Sequence, residues 1–216
     1  MILSLISQKG GVGKSTLARL VGVEMARAGW RVMIADLDAA QGTATAWKLR
    51  RDRIGIEPVI DVQKFRSVER ALAEAARFDL LILDGPAHAE RGGLTMATHS
   101  DLILLPSGYS LDDLEPQIKV AFELEEAGIA PAKIRIALGR VRGSKKEGAE
   151  VRDYLKAAGL TPLNGELREL QTTRQAHMQG RAASETAFSR INEEAQTLAA
   201  EIADVMLSST QERKAI

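Results

Sequence analysis

The sequence contains no cysteine. That excludes a disulfide framework, a thiolate zinc site, an iron–sulfur cluster and a cysteine nucleophile. Net charge is also lacking, since 29 Lys and Arg face 29 Asp and Glu. Bulk charge therefore points to neither nucleic acid nor membrane, and either contact must come from a local patch. No stretch approaches the roughly 20 apolar residues of a membrane span. The first six residues carry no basic segment and run straight into a glycine loop, so they read as a strand and not as a signal peptide. A cytoplasmic location is the expectation. No linker, low-complexity tract or internal repeat divides the 216 residues. A single domain over 1–216 is expected, long enough to bury roughly 70% of its unfolded surface.

What is present is an alternation of short apolar runs and helical patterns. Strands are predicted at 2–6, 32–35, 59–62, 80–83, 102–105 and 134–138. Between them, Leu17, Leu20, Val21 and Ala28 recur at helical spacing before Gly29. Ala44, Trp47 and Lys48 mark a second helix, and Val68, Leu72 and Ala75 a third. Leu111, Leu114, Ile118, Ala121 and Phe122 mark another, and Val151, Tyr154, Leu155 and Ala158 one more. Strands apolar throughout are buried on both faces, and strand–helix alternation implies a mostly parallel twisted sheet with helices on both faces. Ligands of such α/β sheets sit at the carboxyl ends of the strands.

The strongest motif lies at such an end: Lys9, Gly10, Gly11, Val12, Gly13, Lys14, Ser15 and Thr16. It follows a predicted strand and opens a predicted helix, the context of a phosphate-binding P-loop. Glycines let main-chain N–H groups turn onto phosphate oxygens, and the helix N-terminus adds its dipole. Lys14 would reach the β and γ phosphates, and the Ser15 hydroxyl would hold Mg²⁺. The usual pattern wants glycine at position 8, where this chain has Gln8, and a second lysine follows at Lys9.

In this departure the loop resembles the deviant Walker A motif of the ParA/MinD family of ATPases. The segment Asp36-Leu37-Asp38-Ala39-Ala40-Gln41-Gly42 is similar to that family's D-x-D-P-Q-G run, with Ala39 in place of proline. Leu81-Ile82-Leu83-Asp84-Gly85-Pro86 is similar to its second aspartate strand, and Leu104-Leu105-Pro106 to the strand end after it. The likeness spans residues 1 to about 110. It implies a P-loop NTPase fold, ATP and Mg²⁺ as cofactors, and a homodimer closed around nucleotide. Lys9 would then cross to the partner's phosphates. Asp38 would position the attacking water, and Asp38 and Asp84 would complete the metal site with Ser15. Asp36 is an open case between a role in the site and strand-end capping or turn formation. No Asn-Lys-x-Asp segment is present, which favours ATP over GTP. Residues 106–109 and 140–142 are the candidate walls for the base. His88 and His99 read as ordinary polar residues.

The acceptor of such a switch must be read from charge. Residues 140–190 hold ten Lys and Arg against six Asp and Glu, a local surplus of four, whereas 191–216 hold two against five. A basic surface of this kind binds DNA backbone without reading sequence, or is simply a set of solvated helix faces with pairs such as Lys146–Glu150. The resemblance favours DNA, with Arg168 and Arg174 as contacts. Lys48, Arg50, Arg51 and Arg53 form a second basic run, read as a solvated helix face. The stripe Ala195, Leu198, Ala199, Ile202, Val205 and Met206 shares its helix with Glu193, Glu194, Glu201 and Asp204. Anionic lipid would repel those acids, so a core-packing helix and no membrane contact are expected.

With no helix-turn-helix region ahead of the first strand, the chain resembles the small ParA-type proteins. The implied activity is partition of plasmid or chromosome DNA. ATP would drive dimerisation and non-specific DNA binding on the nucleoid, and a ParB-type adaptor would stimulate hydrolysis. The alternatives are the same engine positioning a protein complex, such as a carboxysome or chemoreceptor cluster, and a metabolic P-loop enzyme.

Overall fold

The computed structural model describes residues 1–38, 42–87 and 90–214. Seven strands form one all-parallel sheet: β1 (Ile2–Ser7), β2 (Val32–Asp36), β3 (Asp61–Lys64), β4 (Leu80–Ala87), β5 (Leu102–Ser107), β6 (Ile134–Val141) and β7 (Pro162–Arg168). Their order is β3-β2-β4-β1-β5-β6-β7, with β1 at the centre. The helices are α1 (Lys14–Arg27), α2 (Thr43–Arg53), α3 (Val68–Leu72), α4 (Glu90–His99), α5 (Leu111–Glu126), α6 (Lys145–Ala157), α7 (Gln171–Met178) and α8 (Ser189–Lys214).

Two cores follow from the period of the strands. Leu3, Leu5, Ile34, Ile82 and Leu104 face one side, where Leu17, Leu20, Trp47, Leu198 and Ile202 from α1, α2 and α8 cover them. Met33, Ala35, Leu81, Leu83, Ile103 and Leu105 face the other, against Met96, Val120 and Leu155 from α4, α5 and α6. The central strands β1, β2, β4 and β5 thus bury both sets of alternate side chains, as their uninterrupted apolar runs require. The α8 stripe packs as expected, with Leu198, Ala199, Ile202 and Met206 fully buried. Glu201 does not face solvent alone: it accepts hydrogen bonds from the main-chain N–H of Asn164 and of Gly165, both 2.7 Å, and so fastens α8 to β7.

Two elements differ from expectation. The third strand lies at 61–64, not 59–62, and Val59 is 65% exposed. As an edge strand β3 pairs only with β2, so burial does not mark it in the sequence. The strand β7 is broken in its apolar pattern by Asn164 and Gly165, the two residues that α8 holds. The register of the central strands decides the site. Asp36 of β2 lies directly opposite Asp84 of β4, which brings two acidic strand ends beside the loop that leaves β1.

Candidate functional site

The loop after β1 is shaped by backbone that few residues adopt. Gly11 and Gly13 have φ of +76° and +106°, the left-handed region that disfavours a side chain. Gly13 is the N-cap of α1 and offers no side-chain cap, so the first N–H groups of the helix are left for a ligand. A methyl at Gly11 would sit 3.1 Å from Arg140 Nη1, so the glycine leaves room for that guanidinium, which donates to the Gly11 carbonyl. Arg140 itself has φ +54°, a strained conformation of the kind that clusters at binding sites. Glu169 holds Arg140 and Arg142, each at 2.9 Å.

A cavity of about 270 Å³ opens above the loop, lined at one end by Gly10, Gly11, Gly13, Lys14, Ser15, Thr16 and Asp38. Lys14 is 8% exposed and donates to the Lys9 carbonyl at 3.3 Å. Burial lowers its pKa, while Asp84 and Asp38 oppose that shift and favour its charged form. Asp84 is 2% exposed, takes a hydrogen bond from Ser15, and keeps one carboxylate oxygen without a partner. Burial raises its pKa to about 6, with Asp36 adding to the rise. A buried, half-satisfied carboxylate bonded to a hydroxyl is what a magnesium ion bound partly through water can use. Among the described residues no group of three His, Cys, Asp or Glu gathers to hold an ion alone. The remaining ligands would thus have to come from phosphate and water. Val12 is buried under the loop, leaving its main chain for a ligand.

Asp36 has a different task. It is fully buried and accepts from Thr45 N and Thr45 Oγ1, both at 2.9 Å, and from Asp38 N at 3.2 Å. It therefore satisfies an orphan N–H in the first turn of α2 and holds the backbone at Asp38. Residues 39–41 of the same segment, and His88, lie outside the described residues. His99 bonds to the Thr95 carbonyl in its own helix, in line with its plain reading.

Lys9 does not face the cavity. Its ammonium lies 2.5 Å from Asp113 and 3.3 Å from the Asp112 carbonyl, in the first turn of α5. Of the two candidate base walls, Arg140 lines the cavity and 106–109 do not. Tyr109 instead donates to Glu166 at 2.6 Å. Arg168 and Arg174 lie on the cavity's far wall, with Leu167, Glu169, Leu170, Thr173 and His177. They therefore line the cavity above the loop. The second basic run departs from its reading as a solvated helix face. Arg51 is not solvated but fully buried, paired with Glu185 at 2.7 Å and stacked 5.4 Å from the centroid of the Trp47 ring. Charge counting missed this because its acidic partner is 134 residues away. Also missed were Arg19, Thr43 and His177. Only Arg19 carried a signal, being one helical turn from Ser15 on the same face.

Residues 3–206 match the family model of the CobQ/CobB/MinD/ParA nucleotide binding domain. No curated protein matches the sequence. Solved structures with a similar fold include a Mg-ADP complex of the septum site-determining protein MinD from Pyrococcus horikoshii OT3, at 19% identity and a TM-score of 0.73, covering 93% of this chain and 95% of that one. An ATP complex of McdA from Cyanothece gives 17% identity and a TM-score of 0.68, over 94% and 96%. A putative plasmid partition protein from Borrelia burgdorferi B31, bound to AMPPNP, gives 16% identity and a TM-score of 0.66, over 98% of both chains.

Proposed function

Because the chain belongs to the CobQ/CobB/MinD/ParA nucleotide-binding family, we propose that it is an ATP- and Mg²⁺-dependent ATPase switch. Its dimer would partition DNA, with a ParB-type adaptor as the trigger of hydrolysis. The observation that carries this reading is the set of charges around the loop: buried Lys14 and Asp84, Asp38 on the cavity, and the second lysine beside it. Lys14 neutralises phosphate charge where water is largely excluded. Ser15 and Asp84 would hold the ion, which supplies charge neutralisation on the phosphates when bound. Asp38, whose backbone is positioned by Asp36, orients the attacking water. Lys9 is held at the start of α5 by Asp113 and the Asp112 carbonyl, and would exchange that tether for the phosphates of a second subunit.

DNA contacts at Arg168 and Arg174 belong to the proposal. Neither makes an ion pair among the described residues, in contrast to Arg140, Arg142, Arg152 and Arg190. Their place on the cavity wall ties DNA affinity to the bound nucleotide. The test is binding of non-specific duplex with ATP, with ADP and without nucleotide, over a salt series. Binding is expected with ATP alone, and Arg168→Ala and Arg174→Ala should each flatten the salt slope by about one unit per subunit. Nucleotide affinity is measured alongside. A wild type that ignores DNA in every nucleotide state would sink the partition reading and leave protein cargo.

A further inference from the structure

Two buried arginines flank Trp47, and they are treated very differently. Arg51 has Glu185 on both guanidinium nitrogens, at 2.7 and 3.0 Å, and three carbonyls besides. Arg19 lies 5.7 Å from the same ring centroid and is 4% exposed. It donates to the Thr43 carbonyl at 2.8 Å and, among the described residues, forms no ion pair and leaves Nε unpartnered. Arg50 Nε and His177 Nε2 are likewise buried without a partner. Arg19 and Arg50 are close enough to depress the His177 pKa, after burial, to about 4, and Arg50 acts on Arg19 in the same sense. Arg19 and His177 both line the cavity above the loop, as do Thr43 and Thr173, whereas Arg50 does not.

Three buried nitrogens without partners, two of them on guanidinium groups, make an arrangement that costs stability unless something accepts their hydrogen bonds. Asp84 and Asp36 favour the charge of Arg19 but do not contact it. Arginine forks match the geometry of phosphate-type oxygens, and hydroxyls from Thr43 and Thr173 border the same space.

We propose that Arg19 and His177, supported by the nearby charge of Arg50, form an oxyanion subsite in the cavity, separate from the phosphate loop, that takes a phosphate group. The group arrives either as free phosphate or on the ribose of a nucleotide already held by the loop. The subsite lies in the proposed ATP cavity but does not depend on ATP hydrolysis.

Calorimetry distinguishes the two sources. In one arm orthophosphate is titrated into protein saturated with Mg-ADP. In the other, ADP is compared with ADP carrying an extra ribose phosphate. The expected result is either a phosphate equivalent bound beside ADP, or an affinity at least tenfold higher for the phosphorylated nucleotide. In both cases Arg50→Gln and His177→Gln reduce the effect about tenfold, and ADP affinity is measured for each variant so that a loss of the nucleotide itself is told apart. These two changes avoid Arg19, whose burial makes Arg19→Gln a folding risk. Lys14→Ala, which removes the loop's grip, should leave orthophosphate binding in place. Its survival there separates this proposal from the ATPase reading, which can fail alone. No binding in either arm, or binding lost in Lys14→Ala and kept in Arg50→Gln and His177→Gln, overturns the subsite.

Discussion

At Asp84 the protein holds a carboxylate in a place where it is costly to keep ionised. Its pKa of about 6 lies above the ordinary value near 4, first because of burial. The folded state therefore binds this proton more tightly than the unfolded state. The stabilising contribution is complete below about pH 4 and is lost as the pH rises through about 6. Asp84→Asn should thus stabilise the nucleotide-free protein at pH 7, by at most roughly 3 kcal/mol from two pKa units, with no gain at pH 4. The same change should abolish the extra stability conferred by Mg-ATP. Urea melts from pH 4 to 8, with and without Mg-ATP, check both; a gain that is equal at all pH values would refute the strain. Lys9 gives a second prediction at this scale. It is tethered to Asp113 of its own subunit, and an exposed pair of this kind is worth about 0.2–1 kcal/mol. If Lys9 acts across a dimer, Asp113→Asn should strengthen the ATP dimer up to about fivefold, and Lys9→Ala should weaken it. Sedimentation with ATP measures both, and identical dimer affinities would remove Lys9 from the interface.

Between elements, the carboxylate of Asp36 couples the end of β2 to the start of α2. Asp36→Asn replaces an acceptor facing two N–H groups and a hydroxyl. It should cost about 1–3 kcal/mol of stability and slow hydrolysis more than it weakens ATP binding. Denaturant midpoints and single-turnover rates test this; unchanged hydrolysis would separate Asp36 from the Asp38 backbone. The sequence left Asp36 an open case, because its partner Thr45 lies beyond the segment that looks like a motif. The central strands, the loop and both aspartate ends were legible because each is a local pattern, apolar run or glycine spacing. The far wall of the cavity was not. Leu170, Thr173 and His177 are joined to the loop only through β7 and α7, and β7 lacks a continuous apolar run. Arg51 was read by its neighbours in sequence, whereas its environment is set by a glutamate from another part of the chain.

For the whole molecule, Glu185 joins several of these parts. It accepts from Arg51 twice, from Arg27 of α1 at 2.7 Å and from its own segment at Ala182 N, 2.7 Å. Arg51 in turn reaches the carbonyls of Glu57, Pro58 and Gly180. Gly180 has φ +75°, and a side chain there would collide with the Arg51 main chain. Glu185→Gln leaves a buried guanidinium without its counter-charge, and should cost about 3–5 kcal/mol. Arg51→Met combined with Glu185→Leu should recover much of that loss. Chemical denaturation of the three proteins decides it; a single change costing under about 1 kcal/mol would show the pair to be dispensable.

The central position of β1 sets an order of events during synthesis. It is made well before its neighbours β4 and β5, where Leu5 meets Asp84 and Leu104. About a hundred residues must follow before both sides are covered, a delay of roughly 5–20 s at ordinary elongation rates. Until then an apolar strand with two open edges waits unpaired, a hazard for association with other nascent chains. The phosphate loop hangs from that strand, so it must wait for β4 and β5 before it can become functional. Chains stalled short of residue 107 should therefore fail to retain nucleotide, and those stalled well beyond β5 mark the earliest point at which the newborn protein can sense ATP.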